Sequence, residues 1–219
     1  MPNLYTTTND GTITTGNESS WSNARDKTTG TVDDTGGNAT PVIFRSSGRG
    51  ATTFKVGRFF MIFDTSGITG TVSAATLKLT MSGTDSSYIA IESQQSDPLV
   101  SGDFDNVNFS TPFSAEVSSS SGVVDFVLNS TFRANMQSED SIGIAIVNYP
   151  HDYSDSAPTS DVNLNDIIKT TNNGSTSIHP YIEYTIATGY GNAVNGVAAA
   201  NIGKVNGVAT ASISKVNGI

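Results

Sequence analysis

At 219 residues the chain is long enough to bury one substantial hydrophobic core, but hardly long enough for two domains of ordinary size. Only 14% of the residues are charged and the net charge is -9, which excludes a protein that neutralises nucleic-acid phosphates with clustered lysine and arginine. The absence of cysteine excludes a disulfide framework and a thiolate metal site. We therefore expect one domain with an appended tail, held together by packing and carrying no cofactor.

The N-terminal sequence and the overall composition point in different directions. The stretch MPNLYTTTNDGTITT lacks the basic start and apolar run of a secretory signal, and no window approaches the roughly 18 apolar residues of a membrane span. We expect a product made in a cytoplasm without membrane insertion. Yet a composition rich in Ser, Thr, Asn and Gly is typical of a surface-exposed β protein. An explanation of the function has to account for both the signal-free N-terminal sequence and the surface-exposed composition.

The predicted elements are almost all strands. Residues 1–50 suggest short strands in long loops, and the strongest strand follows as FKVGRFFMIF, residues 54–63. Asp64-Thr65-Ser66-Gly67 then predicts a turn closed by an Asx hydrogen bond. Both faces of that strand are apolar, so both should be covered. With a period of two, the faces carry Phe54, Val56, Arg58, Phe60 and Ile62 on one side, and Phe59, Met61 and Phe63 on the other.

The rest of the first 187 residues continues this pattern. One short helix is predicted over residues 130–137, capped by Asn129, with Phe132 and Met136 on one side. One helix among many short strands favours an all-β fold, an antiparallel sandwich or jelly roll. Further strands are predicted at 76–81, 88–94, 123–128, 141–149 and 178–186.

The C-terminal residues 188–219 form a tail with an internal repeat. Val-Asn-Gly occurs three times at a spacing of eleven residues, and Asn-Gly between apolar residues is the strongest short hairpin signal. The repeats could be stacked hairpins or one turn of a coil each. Because one such unit cannot bury its own apolar side, we expect partner chains, with a homotrimer as the assumed state. The predicted assembly residues are Val194, Asn195, Gly196, Val197, Ile202, Val205, Asn206, Gly207, Val208, Ile213, Val216, Asn217, Gly218 and Ile219.

Several stretches resemble one known family. They are DGTITTGNESSWSNARDKTTG, VGRFFMIFDTSGITGTVSAATLKLTM, SGDFDN and HPYIEYTI, and over residues 9–187 they resemble DNRLRE-type β-sandwich domains of tailed-bacteriophage virion proteins and secreted bacterial proteins. The tail separately resembles Lys-Val-Asn-Gly-Val tails of virion proteins. The resemblance implies a virion component, made in the host cytoplasm without a signal and built for life outside. The resemblance does not distinguish between head decoration, head fibre, tail fibre and tail tip.

Candidate catalytic and metal-binding residues are few. His151 and His179 have no partner at a zinc-binding spacing, and we expect no metal site. Asp103-Phe104-Asp105-Asn106 begins like a calcium loop, but Val107 occupies the next ligand position. Paired carboxylates such as Asp152 and Asp155 leave a glycosidase as the least favoured alternative, because they lie in turn-like stretches where Asp serves local hydrogen bonding. We expect no catalytic residue.

Two sets of side chains have more specific interpretations. Arg58 shares a strand face with apolar residues, so we predict a buried structural ion pair with Asp64 or Asp26, with contact to an anionic glycan as the alternative. Trp21, Tyr149 and Tyr153 could stack on sugars, although core or rim packing is the simpler interpretation. The expected function is a non-enzymatic virion structural protein that binds other virion proteins. The alternative is a glycan-binding module that recognises host-surface sugars.

Overall fold

The dense aromatic and β-branched stretches of the sequence form long strands, and the short loops between them form brief helical turns. The computed structural model describes residues 1–187 apart from Thr8 and Arg49, together with residues 204–205 and 208–209. Numbered in chain order, the elements are β1 (Asn3–Tyr5), β2 (Gly11–Thr14), α1 (Trp21–Arg25), β3 (Thr31–Asp33), β4 (Asn38–Ala39), β5 (Ile43–Ser47), β6 (Thr52–Asp64), β7 (Val72–Ser82), β8 (Ser87–Ser93), β9 (Val107–Pro112), β10 (Val117–Ser118), β11 (Gly122–Val127), α2 (Ser130–Ser138), β12 (Ser141–Asn148), β13 (Val162–Leu164), β14 (Ile167–Lys169), β15 (Tyr181–Ile186), β16 (Lys204–Val205) and β17 (Val208–Ala209).

Two antiparallel sheets confirm the predicted all-β sandwich. The first sheet has the order β1-β15-β7-β14-β4, with β11 on the other edge of β7. The second has the order β10-β8-β12-β6-β2-β3; β9 extends it beside β8, and β5 and β13 extend it beside β6. One of the two sheets is curled into a half-barrel. The first sheet brings the two ends of the sandwich together, because β1 pairs with β15 through Leu4 and Ile182.

The predicted alternation of side chains along β6 is confirmed, and successive side chains enter two different hydrophobic cores. Phe59, Met61 and Phe63 are fully buried in the core between the sheets, where α2 adds Phe132 and Met136. Val56 and Phe60 point the other way, into a second core on the outer face of the second sheet. Its other buried members are Ile13, Ala24, Ile43, Ile89, Ile91, Leu99, Phe104, Ala145 and Val147. The second sheet is therefore covered on both faces.

Loops and short helical turns cover this second core. They include α1, a 3₁₀ turn over Ser101–Asp105 and a single π-helical turn over Tyr149–Tyr153. The sequence did not indicate α1, because five residues are too few to show a helical period. Its start is marked only by Ser20, whose side chain accepts a hydrogen bond from the Asn23 N–H.

The other predicted elements also agree with the structure, with small shifts at their ends. Asn129 caps α2 by accepting the Phe132 N–H at 3.1 Å, as predicted. The Asx turn after β6 is present, since the Asp64 carboxylate accepts the Ser66 N–H at 3.0 Å. The last predicted strand begins only at Tyr181, because residues 176–178 form a 3₁₀ turn instead. None of the helices described here is long and apolar enough to cross a membrane.

Candidate functional site

Arg58 lies at the centre of the second core, and its side chain is fully buried, as predicted. Its Nε donates to one carboxylate oxygen of Asp152 at 2.8 Å and its Nη2 donates to the other at 2.8 Å. Asp152 is fully buried as well, and it is held in the π-helical turn after β12. This bidentate geometry is the strongest form of the arginine–carboxylate pair.

The remaining donors of Arg58 reach two other loops. Nη1 donates to the Phe104 carbonyl at 2.7 Å, and Nη2 donates to the Arg25 carbonyl at 2.8 Å. The guanidinium also lies over the Phe104 ring, 4.1 Å from its centroid. We call Arg58, Asp152 and the carbonyls of Arg25 and Phe104 the Arg58 cluster. Because it ties α1, the 3₁₀ turn and the π-helical turn to β6, its role in the described structure is to hold the outer layer on the sheet.

The predicted partners of Arg58 were wrong. Asp64 lies six residues further along the same extended strand, about 20 Å away at 3.3 Å per residue. It is exposed, and the side-chain and backbone hydrogen bonds from Ser66 hold its pKa below the ordinary value of 3.8. Asp26 pairs with Arg25 at 2.7 Å instead. The true partner is 94 positions away in sequence and is brought in by the fold.

The three aromatic residues predicted for glycan contact lie at the rim of the second core. The Trp21 ring centroid is 6.4 Å from that of His151, in the same π-helical turn that carries Tyr149 and Tyr153. With Phe54 and Phe109 these three form an aromatic rim, all of whose members are half-buried. The structure therefore brings together residues from separate parts of the chain.

These aromatic rings pack largely against one another. Tyr149 and Tyr153 stack with centroids 5.4 Å apart, and Trp21 and Phe54 pack edge to face with centroids 6.3 Å apart. The Trp21 indole N–H donates to Asp155 at 3.1 Å. Packing over the second core accounts for these contacts, which agrees with the simpler of the two interpretations of the sequence.

Asp103 and the two histidines considered from the sequence have local hydrogen-bond partners. Asp103 is buried and accepts the Val100 N–H at 2.8 Å and the Asn106 side-chain amide at 3.0 Å, which fixes the 3₁₀ turn. Ring nitrogens of His151 and His179 lie 2.8 and 2.9 Å from the backbone oxygens of Ser156 and Asn173. Within the described residues, no group of three or more His, Cys, Asp or Glu side chains could hold a metal ion.

One repeat unit of the tail is partly described. β16 and β17 pair antiparallel, with Val205 opposite Val208. This pairing agrees with the stacked-hairpin alternative for the middle repeat. The other predicted assembly residues lie outside the described residues: Val194, Asn195, Gly196, Val197, Ile202, Asn206, Gly207, Ile213, Val216, Asn217, Gly218 and Ile219.

Asp10 is a buried carboxylate that the sequence did not single out for chemistry. It is fully buried and accepts the Thr171 N–H at 3.0 Å and the Thr171 hydroxyl. Burial raises its pKa above the ordinary value of 3.8, against the opposing effect of the Thr171 hydrogen bonds and the charge of His179. Asp10 ties the start of β2 to the segment after β14 at the cost of a buried charge.

The substitution Asp10→Asn is expected to stabilise the protein at neutral pH relative to the wild type. The folded state binds the Asp10 proton more tightly than the unfolded state, so the contribution of Asp10 is favourable below the unfolded pKa and is lost as pH rises through the folded pKa. An asparagine carries no charge, and its single Oδ1 can still accept from the Thr171 hydroxyl and, at 3.2 Å, from the Thr171 N–H. Urea unfolding of both proteins from about pH 3 to about pH 7, a range that begins below the ordinary pKa of 3.8, should show the variant gaining stability relative to the wild type as pH rises. A constant difference across that range contradicts this assignment.

No family model matches the chain, and no curated protein matches its sequence. The proposal for its function therefore depends on the residues and their geometry.

Proposed function

We propose that the chain is a non-enzymatic structural protein displayed on the surface of a tailed-phage virion. In this proposal the β-sandwich is the displayed module, and the repeat tail joins copies of the chain to each other and to other virion proteins. The resemblance to DNRLRE-type domains supports the class of particle.

The observation that carries the proposal is the tail hairpin. The strands of β16 and β17 are two residues long, and an isolated two-stranded hairpin is at best marginally stable in water. The same Val-Asn-Gly unit occurs at residues 194, 205 and 216. Copies that stack on each other or on neighbouring chains bury apolar area, at roughly 25 cal/mol per Å² removed from water. Repetition of a unit too small to be stable alone favours assembly.

Removal of the tail is expected to convert an oligomer into a folded monomer. Light scattering coupled to size-exclusion chromatography should give about three times the chain mass for residues 1–219, since we propose a homotrimer, and the chain mass for residues 1–187. Circular dichroism of the short form checks that the sandwich is intact. The short form should remain folded, because both cores described above lie within residues 1–187.

A point variant in the tail provides the matched control. Val205→Asp with Val208→Asp changes only the middle repeat and should weaken the oligomer. Val123→Asp with Val127→Asp adds the same two charges to exposed positions of β11 and should leave the oligomer intact. A short form that still elutes as an oligomer contradicts tail-mediated assembly. Detection of the chain in gradient-purified particles, by mass spectrometry, tests its place on the virion.

A second candidate function is glycan recognition. The specific observation that favours it is the aromatic rim, which collects Trp21, Tyr149 and Tyr153 on one side of the second sheet. Multivalent display on an oligomer makes weak individual binding useful. A glycan array probed with the full oligomer tests this candidate, and silence across the array with the oligomer intact counts against it.

A further inference from the structure

A polar groove lies away from the aromatic rim, beside Ile62, Gly143 and Ser93, which are neighbours across β6, β12 and β8. Its volume is about 380 Å³, within the range of small-molecule sites. Residues from the end of β8 and from α2 complete its walls. The carboxyl and amide side chains that line it are Glu92, Gln94, Gln95, Asn135 and Glu139, and the hydroxyls of Ser93 and Ser141 add to them.

Gln95 is the unusual member of this lining. Its Nε2 and Oε1 are both closed to solvent, and neither has a hydrogen-bond partner in the described structure. Buried polar groups in folded proteins are nearly always paired, so each exception needs an explanation. Because the Gln95 carboxamide makes no hydrogen bond in its present position, it can turn toward the groove without breaking one.

Gly143 creates the space that Gln95 occupies. A Cβ at residue 143 would lie 2.8 Å from Gln95 Oε1 and 2.3 Å from the Ser93 carbonyl oxygen. Any other residue at this position would displace the carboxamide. The unpaired carboxamide of Gln95 and the missing side chain of Gly143 therefore belong to one arrangement, formed by β12 and the segment that follows its partner strand β8.

The chemistry of the lining selects the type of ligand. Gln95 offers an unpaired donor and an unpaired acceptor side by side, so its ligand must both accept and donate. A hydroxyl group does both, whereas a metal ion or an ammonium group only attracts acceptors. Glu92 and Glu139 add acceptors, and one oxygen of Glu92 already accepts the Asn108 side-chain amide at 2.7 Å. The groove lining contains no Lys, Arg or His to attract an anion.

We propose that this groove binds a neutral saccharide, with the Gln95 carboxamide turned outward to hydrogen-bond one hydroxyl and the glutamates accepting from others. The proposal rests on the second candidate function, glycan recognition, and moves the contact from the aromatic rim to the groove. The two sites are separable, because Gly143 and Tyr149 are six residues apart, about 20 Å along an extended strand.

The test is a titration of the isotope-labelled full chain, or of residues 1–187 once that form is shown to fold, followed by amide NMR. The probes are glucose, galactose, mannose and N-acetylglucosamine, each alone, with calcium chloride and spermidine as separate additions. The expected result is a saturable shift of the Gly143 and Ser93 amides and of the Gln95 side-chain amide with at least one sugar. Gln95→Met should weaken that binding roughly tenfold or more, because the isosteric side chain lacks both polar groups.

Gln137→Met is the matched control, because Gln137 is an exposed carboxamide on α2 outside the groove lining. It should bind like the wild type. If a sugar shifts only the amides of Trp21, Tyr149 and Tyr153, glycan recognition stands but the groove is not the binding site. If none of the four sugars shifts any amide, both the groove site and glycan recognition are overturned. If only calcium or spermidine causes shifts, the ligand of the groove is a cation and the saccharide proposal is wrong. None of these outcomes affects the light-scattering test of assembly.

Discussion

Replacing Asp152 with asparagine is expected to destabilise the fold by about 3–5 kcal/mol, the usual cost of breaking a buried ion pair by removing one partner. The carboxylate accepts two hydrogen bonds from Arg58, at 2.8 Å each, and both residues are fully buried. An amide would turn an N–H toward the guanidinium and leave the arginine charge uncompensated. Urea unfolding, followed by tryptophan fluorescence, measures this loss of stability. The single tryptophan, Trp21, lies in α1, which the Arg58 cluster holds on the sheet.

Asp155→Asn is the control for that substitution. Asp155 lies three residues further on, is exposed, and is 3.4 Å from Arg25 Nε. Its φ of +47° is left-handed, a region that asparagine adopts readily. The change should cost less than about 1 kcal/mol, as is usual for an exposed ion pair. Equal losses for the two variants would contradict the structural importance of the Arg58 cluster.

Gly83→Ala is expected to cost about 3 kcal/mol or more, the sum of backbone strain and lost hydrogen bonds. The φ of Gly83 is +123°, where side chains are strained. An added Cβ would also lie 1.9 Å from Asp166 Oδ1, which accepts the Asp85 N–H at 3.1 Å. The other oxygen of Asp166 accepts the Tyr88 hydroxyl at 3.1 Å. Moving the buried carboxylate aside would therefore disturb two contacts.

Gly122→Ala separates the two causes. Gly122 has a comparable φ of +109°, but a Cβ there meets no atom within 4 Å. Its cost should be the backbone term alone, about 1–3 kcal/mol. The difference between the two alanine variants, measured by urea unfolding, isolates the steric effect on Asp166. If the two cost the same, Asp166 moves aside without penalty and the argument from its hydrogen bonds is wrong.

Local sequence patterns were sufficient to predict the long strands and their faces. The alternation in β6 assigned Phe59, Met61 and Phe63 to one core and Val56 and Phe60 to another, because side chains in a strand alternate strictly. The cap of α2 was equally predictable, since Asn129 and Phe132 are close in sequence. These features depend only on neighbours along the chain.

The interior of the second core could not be predicted in the same way. Asp152 reaches Arg58 only because the π-helical turn after β12 folds back over β6, and no local pattern indicates that path. The distance along an extended strand could have excluded Asp64, but it could not have selected Asp152 from the other acidic residues. The groove at Gly143 was also missed, since a lone glycine and a lone glutamine carry no signal until strand pairing brings them together.

The pairing of β1 with β15 has a mechanical consequence. β15 leads directly toward the tail, and it is flanked on one side by β7 and on the other by β1. Tension applied through the tail would pull β15 along its own axis, and antiparallel hydrogen bonds run perpendicular to that axis. The hydrogen bonds of β15 to β1 and to β7 would then be loaded in shear, all at the same time, and would not break one after another. A sandwich held at this end would resist being pulled apart through its own attachment.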